Sequence, residues 1–516
     1  MKLVMNKSIL ITLLAPTVVC AENWVVDTQE DWTRNTERVE GVQIHDSVAS
    51  LTGKQGVFTS VVKSFEEKRK AGSLSLSQVP TWLNWEPTSY LGPKNLGDAP
   101  VALRVAEGDY WLFGRYYSWE RRKPEVEAGL ETSLEGFDIP LKTTALANVF
   151  DAPGAANPTL GGYHAWQSRD LVNWVHHGPI STEKGKWLTT AERVGDQTYF
   201  YYDFPNDQDP YLIIDNDLTD GKVGKEMGMA FDDPTHGSDC AVIRSLDGKF
   251  HLISENWSCL DASSRSWDSP LASHAVSPDG IGDFKIVDPA VDNRTTPTGR
   301  FDKFYHPHWA DEDPDRFLGE VTKEDGNGHK AGERRARAVY EIHSPAQEAY
   351  GDWAAIAIGG QYYLFGDYDP ANAHGRNAMK TIWFTADDIN KPFEKCGTVG
   401  QGHPDPDIIF AEGRFWIVSQ TEDFVSDGPW IDGVEVRVGV DTDDDQKIDE
   451  WTEWVRVKET YAGKPGFAKH VDKTPAEMSL SDLPEGYGFQ YEIRLSDVTK
   501  NGAKPEINQV RFNFSE

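Results

Sequence analysis

Cysteine is scarce in this chain: four residues in 516. None of them stand at the paired short spacings that hold zinc or iron, so a cysteine-built metal centre is excluded. The hairpin reading below sets Cys240 opposite roughly Glu255, so Cys259 is not forced to be its neighbour and a disulfide is not required. Basic residues are also in deficit. There are 51 Lys and Arg against 83 Asp and Glu, a net charge of −32. A surface this acidic argues against nucleic acid or anionic membrane as partner. Long apolar runs are absent except at the start, where ILITLLAPTVV follows Lys2 and Lys7 and ends at Val19-Cys20-Ala21. That stretch is too short to span a bilayer and reads as a signal peptide over 1–21, which predicts a secreted or periplasmic protein.

What is abundant is aromatic residues in a repeated setting. GSDCAVIRSLDGKFHLISENW (Gly237–Trp257) is two β-type runs joined through Asp247-Gly248. Asp-Gly between such runs is a hairpin signal, here read as a two-residue turn. The unit recurs as GDAPVALRVAEGDYWLFGRYY from Gly97, KWLTTAERVGDQTYFYYD from Lys186, YGDWAAIAIGGQYYLFGDYD from Tyr350 and HPDPDIIFAEGRFWIVSQ from His403. Weaker strand-and-turn segments follow three of the copies, at His164–Ile180, Ser273–Val287 and Ile382–Gly397. A hairpin with return strands, repeated five times, predicts a five-bladed β-propeller over 97–432. A polar insertion at about 288–349 interrupts it.

The two ends read differently. Residues 22–96 and 433–516 alternate apolar and polar positions, as in GVFTSVVKSF, GVEVRVGVD and EINQVRFNFS. The expected fold is all-β, with the propeller inserted into, or flanked by, a jelly-roll-like β-sandwich made from both ends.

In a propeller the first strand of each blade lines the central channel. Four copies place an aspartate at the head of that strand, 8 to 10 residues before the turn glycine: Asp98, Asp239, Asp352 and Asp405. The second copy has Thr189 and Thr190 there, with Glu192 further along. Carboxylates converging on one funnel are what glycosidic cleavage needs, one protonating the leaving oxygen and another activating water. Like charges crowded together also raise the pKa of at least one of them. By position, Arg115, His164, Asp203, His236, Glu255, Asp367, His374 and Arg376 are candidate sugar contacts. Trp82, Trp85, Trp257, Trp353 and Trp416 are candidate stacking platforms.

These stretches resemble the five-bladed glycoside hydrolases of family 43 and their relatives. GDAPVALRVAEGDYWLF is similar to that family's first-blade stretch, which implies Asp98 as general base. SDCAVIRSLDGKFHL is similar to the third-blade stretch, which implies Asp239 as the residue that tunes the acid and orients substrate. SRDLVNWVHHGP resembles the family's outer-strand signature. Where the family has Glu followed by Gly-Pro as its acid, this chain has Asp352-Trp353-Ala354, so Asp352 is either a shorter acid or a binder. His403 resembles a last-blade histidine that sits near a central cation in some members. The resemblance covers 97–420 as short motifs and implies a secreted hydrolase of a plant or algal polysaccharide, with no organic cofactor.

Separately, Asp441, Asp443, Asp445 and Asp449 have the spaced oxygens of a calcium loop, with Gln446 at the turn-glycine position and Thr452 in place of the closing Glu. Two other readings compete with the hydrolase. A propeller lyase would use Tyr305, His306, His308 and Arg337 on a uronate. A non-catalytic glycan-binding propeller would bind without turnover.

Overall fold

The computed structural model describes residues 23–515 except 90, 117–126, 157–161, 184, 205–208, 234–236, 238, 257–259, 262–268, 270, 293–316, 321–333, 337–339, 342–347 and 371–376. The chain is 56% strand and 2% helix, which makes it all-β. Among the described residues, no helix is long and apolar enough to cross a membrane. The signal-peptide segment and the residues proposed for a lyase lie outside the described residues, as does most of the insertion.

Two compact units form. Of the described residues, one comprises those within 23–79, 432–458 and 475–515, the other those within 80–431 and 459–474. In the first unit, strands from the two chain ends alternate across a single sheet. Gln55–Ser60 pairs with Gly486–Ser496, which pairs with Lys63–Gln78, which pairs with Glu506–Ser515. Neither end can satisfy its backbone hydrogen bonds without the other. Alternation puts Phe58, Phe489, Tyr491 and Phe512 inside, where rings pack at centroid distances of 5.5 to 5.9 Å.

The second unit is propeller-like. Among the described residues, five of its sheets begin with β1 (Leu96–Ala106), β2 (Trp187–Val194), β3 (Ala241–Arg244), β4 (Ala349–Ile358) and β5 (Asp407–Ala411), each paired with the strand that follows its hairpin turn. These first strands neighbour one another in a closed circuit, β1 to β2 to β3 to β4 to β5 and back to β1. Every junction between adjacent sheets has its own apolar cluster, so the first strands are buried on both faces. That is why VAL, AAIAI and IIFA read as continuous apolar runs instead of alternating ones. Glu86–Pro87, from the start of the unit, pairs with Phe424–Ser426 at the outer edge of the fifth sheet and ties start to end.

Three expectations need correction. The turn at Asp247-Gly248 is a three-residue loop, because Ser245 N donates to Lys249 O at 2.8 Å and Ala241 pairs with Ile253. Residues 80–96 belong with the propeller-like unit, since Trp82 and Trp85 are buried in the cluster between the fourth and fifth sheets. Residues 459–474, expected in the sandwich, also belong there.

This last segment crosses the turn ends of four sheets. Its strand β6 (His470–Thr474) pairs parallel with β4. Arg104 on β1 donates to the carbonyls of Lys464 and Phe467 at 3.2 and 2.7 Å. An added Cβ at Gly463 would lie 2.3 Å from the Arg104 guanidinium carbon, so a side chain there has to displace the arginine. Arg244 on β3 lies over the Phe467 ring, and the Lys469 ammonium donates to Thr190 Oγ1 at 2.6 Å and Val242 O at 2.7 Å.

Lys469 is 4% exposed and sits in the field of two buried acids. Burial pushes the Asp407 carboxyl up to about 6 and also raises Glu192, and Lys469 opposes both shifts. A carboxyl whose folded pKa is raised gives its full stability below its unfolded pKa and loses it as pH rises through the folded one. Removing Lys469 raises both folded values further. Lys469→Met is therefore predicted to cost about 3–5 kcal/mol near neutral pH. Melting temperatures from pH 8 to 4.5 check this, because the penalty should shrink as pH falls toward about 6, the acids of the variant taking up protons at higher pH than those of the unsubstituted protein. A penalty independent of pH contradicts the charge argument.

Candidate active site

Asp98, Asp239, Asp352 and Asp405 share one backbone state. Their φ angles are 64°, 45°, 49° and 39°, all left-handed. Asp tolerates this region better than most residues, but four at equivalent positions are held there only because the surroundings over-determine them. Just after Asp98 and Asp352 the pairing register shifts, between Gly97 and Val101 and between Gly351 and Ala354. A bulge of this kind re-aims the side chain at the strand head.

The surroundings come from the ends of the second strands. In chain order these are Arg115, Asp203, Glu255, Asp367 and Gln420, one long polar residue per hairpin copy. Asp203 Oδ2 accepts from Asp239 N at 3.0 Å, and Asp367 Oδ1 accepts from Asp405 N at 3.0 Å. Trp353 N donates to Asp239 O at 3.1 Å, so the third and fourth strand heads are joined through backbone. Gln420 Nε2 donates to Asp98 Oδ1 at 3.4 Å and also to Asp405 Oδ2.

Asp98 is held by Arg115, whose Nε donates to Asp98 Oδ2 at 2.6 Å. The guanidinium lies between the Tyr163 ring, at 4.9 Å, and the Trp187 ring, at 4.0 Å. Burial pushes the Tyr163 hydroxyl well above its ordinary pKa, and the charges of Asp98 and then Asp239 add to the shift, which puts both acids in the field of one hydroxyl. A pit of about 20 Å³ is lined by Leu188, Thr189, Asp239, Asp352, Asp405 and Asp407. That is room for about one water molecule and not for a sugar ring.

Several expected sugar contacts fall elsewhere. Arg115 is buried and anchors Asp98. His164 is fully buried, with Nδ1 2.8 Å from His176 Nε2, and His176 Nδ1 is 3.0 Å from Asp151 Oδ1. Trp353, 2% exposed, packs against Tyr350 and Phe384 in the cluster between the third and fourth sheets. Trp82 and Trp85 are core as well, and Trp416 donates its indole N–H to Ala411 O. For Trp353 the reason is its strand, which is buried on both faces and sends the residue beside Asp352 into packing. Asp203, Glu255 and Asp367 are buried behind the strand heads. His236, Trp257, His374 and Arg376 lie outside the described residues.

His403 Nδ1 is 2.6 Å from Asp405 Oδ1 and 3.6 Å from Asp367 Oδ2. With Asp352 these three offer ligand atoms within 4.8 Å of one another, the spacing of a cation site. In the other unit Asp441, Asp443 and Asp449 also come within 4.8 Å. Asp445 does not join them and pairs with Lys447 at 2.8 Å. Asp441 already accepts from the backbone of Asp443, Asp444 and Gln446, and Asp449 from Thr442, so the loop closes largely on its own hydrogen bonds.

Sequence reasoning missed Gln420, although IVSQ ends its hairpin copy as LFGR and LFGD end theirs. It also missed Asp407 and Lys469, which no repeat marks. Because Trp353 is packing and not a sugar platform, Trp353→Ala is predicted to cost about 3–5 kcal/mol of stability. Denaturant unfolding measures that loss. A variant of unchanged stability but weakened substrate binding contradicts the packing assignment.

No protein-family model matches this chain, and no curated protein matches it by sequence. Similar solved structures include a thermostable family-43 glycoside hydrolase, at 12% identity and TM-score 0.36, covering 66% of this chain and 91% of that one. An exo-1,5-α-L-arabinanase from a bovine ruminal metagenomic library is 12% identical at TM-score 0.34, covering 66% and 95%. An endo-arabinase from Bacteroides thetaiotaomicron is 11% identical at TM-score 0.34, covering 66% and 97%. The solved structures to which this chain is similar, at low identity, thus include a glycoside hydrolase of family 43.

Proposed function

We propose that the chain is an exported glycoside hydrolase of a plant or algal polysaccharide or its oligosaccharides, working by paired carboxylates with inversion at the anomeric carbon. In this reading the five sheets are the blades of one propeller, and the unit built from both ends is a jelly-roll-like sandwich. The observation that carries the function is the set of four left-handed aspartates at equivalent strand heads, three of which line one water-sized pit.

Asp98 is the general base. The donors from Arg115 and Gln420 fix its carboxylate, which takes a proton from water as the water oxygen bonds to the anomeric carbon. Asp352 is the general acid and gives its proton to the leaving glycosidic oxygen. Asp239 orients the sugar and, as a neighbouring negative charge, favours the protonated form of the acid. Inversion needs carboxyl groups roughly 6.5–9.5 Å apart, which leaves space for the water. Asp405 binds substrate, steadied by His403 and Gln420.

A structural Ca²⁺ belongs with Asp441, Asp443 and Asp449, which carry hard oxygen ligands. The fit is incomplete, because Asp441 and Asp449 also accept the loop's own N–H groups. No catalytic step passes through it.

Asp98→Asn and Asp352→Asn are each expected to lower turnover about 10²-fold or more with unfolding temperature unchanged. Reducing-end release from a polysaccharide panel gives the rates, and proton NMR of fresh product gives the anomer. A well-folded Asp98→Asn protein with near-normal turnover ends the assignment, and binding without any turnover leaves a glycan-binding propeller. Chelation is expected to lower the melting temperature of the unsubstituted protein but not of Asp443→Ala. Equal responses in the two proteins contradict the calcium site.

A further inference from the structure

Two buried histidines of the third sheet take no part in the chemistry above. His251 lies on Phe250–Glu255 and His274 on Leu271–Ser277, two strands that pair antiparallel. They are 3% and 1% exposed. Strand alternation puts both rings on the face of Ile253 and Ala272, the face that packs against the fourth sheet. There His251 Nδ1 lies 2.9 Å from His274 Nε2.

At that distance one of the facing nitrogens carries a proton and the other accepts it. The bond survives a first added proton. A second puts an N–H on both facing nitrogens, and two cations then oppose each other beside an apolar cluster.

The nearby charges are committed elsewhere. His251 feels Asp247 and Lys249 from its own hairpin turn and Asp388 from the fourth sheet. Asp247 is held by Lys249 at 2.6 Å, and Asp388 accepts from the Asn390 N–H groups at 2.9 Å. Tyr362 of the fourth sheet shares the field of Asp388 and Asp247, and burial keeps it a neutral phenol. Among the described residues neither histidine is ion-paired with a carboxylate. Burial holds His251 down to about 4, and burial with His251 alongside holds His274 down to about 3.

Other buried histidines are better provided for. His176 faces the Asp151 carboxylate at 3.0 Å, while His177 and His470 face oxygens of Gln167 and Arg244. A protonated ring keeps its bond to an oxygen and loses it only to a nitrogen that is protonated too.

We propose that the His251–His274 pair makes the joint between the third and fourth sheets open in mild acid, because the opened joint takes up protons that the closed one refuses. The first strands of these sheets carry Asp239 and Asp352 at their heads, joined through Trp353 N and Asp239 O at 3.1 Å. The joint that opens is therefore the one that sets these two aspartates against each other. A ring that stays neutral when closed and titrates at its ordinary 6.5 when open eases opening about 10-fold per pH unit below 6.5.

Hydrogen exchange of the full chain, read by mass spectrometry at pH 7.5 and 5.5 and corrected for intrinsic rates, measures the opening. Phe250–Glu255, Leu271–Ser277 and Lys380–Ala386 are expected to open about 10- to 100-fold more at pH 5.5, the limits for one ring and for two. Trp187–Val194 and Gln197–Asp203 of the second sheet hold no histidine and are expected to change less than about 3-fold. In the double variant His251→Gln, His274→Gln the gain at pH 5.5 is expected to vanish. His274→Gln alone leaves one titrating ring and is expected to hold the gain to about 10-fold or less, which decides the matter if the double variant does not fold. No gain in the unsubstituted protein, an equal gain in the second sheet, or a gain undiminished in a folded variant overturns the proposal.

Discussion

The constraint on which the rest depends is a backbone one. An aspartate at the head of a first strand adopts a left-handed conformation only if its own N–H and its neighbours find partners there, and adjacent sheets supply them. Asp203 accepts from the head of the third sheet, Asp367 from the head of the fifth, and Asp239 O accepts from Trp353. The strand heads of the third, fourth and fifth sheets are therefore each tied to the sheet before, while Asp98 is held by Arg115 of its own sheet and by Gln420 of the fifth. The second sheet has no such aspartate, and its strand head carries Thr189 against Cys240 and Thr190 under Lys469.

The two ends of the circuit do different work. At the strand heads, negative groups gather around a pit of about 20 Å³ and are steadied by Arg115, Gln420 and His403. At the hairpin turns, residues 459–474 lie across the ring and bring one cation, Lys469, to Glu192 and Asp407. Two buried acids without a cation would be costly, so the crossing segment is as much an electrostatic requirement of the circuit as a cover for it.

Much of this was legible in the sequence because hairpins are local. The five copies occupy the first two strands of five sheets, and the four aspartates share one conformation at equivalent strand heads. What the sequence hid is long-range. Arg104 meets Lys464 and Phe467 across some 360 positions, and no periodicity announces such a pairing. Local context also misled where burial has two faces. Trp353 beside Asp352 looks like a sugar platform, yet the next residue along such a strand turns into the packing between sheets. Arg115 looks like a substrate contact and is spent on Asp98. The end of the second strand, once all five copies are aligned, was the readable signal for Gln420.

The central claim is that Asp98 and Asp352 face one scissile bond over the pit. A crystal structure of Asp98→Asn with an oligosaccharide substrate bound tests it most directly. The account predicts the anomeric carbon over the pit, residue 98 on the side from which water attacks, and a carboxyl oxygen of Asp352 within hydrogen-bond distance of the glycosidic oxygen. A substrate whose glycosidic oxygen meets no carboxyl group at the strand heads contradicts it.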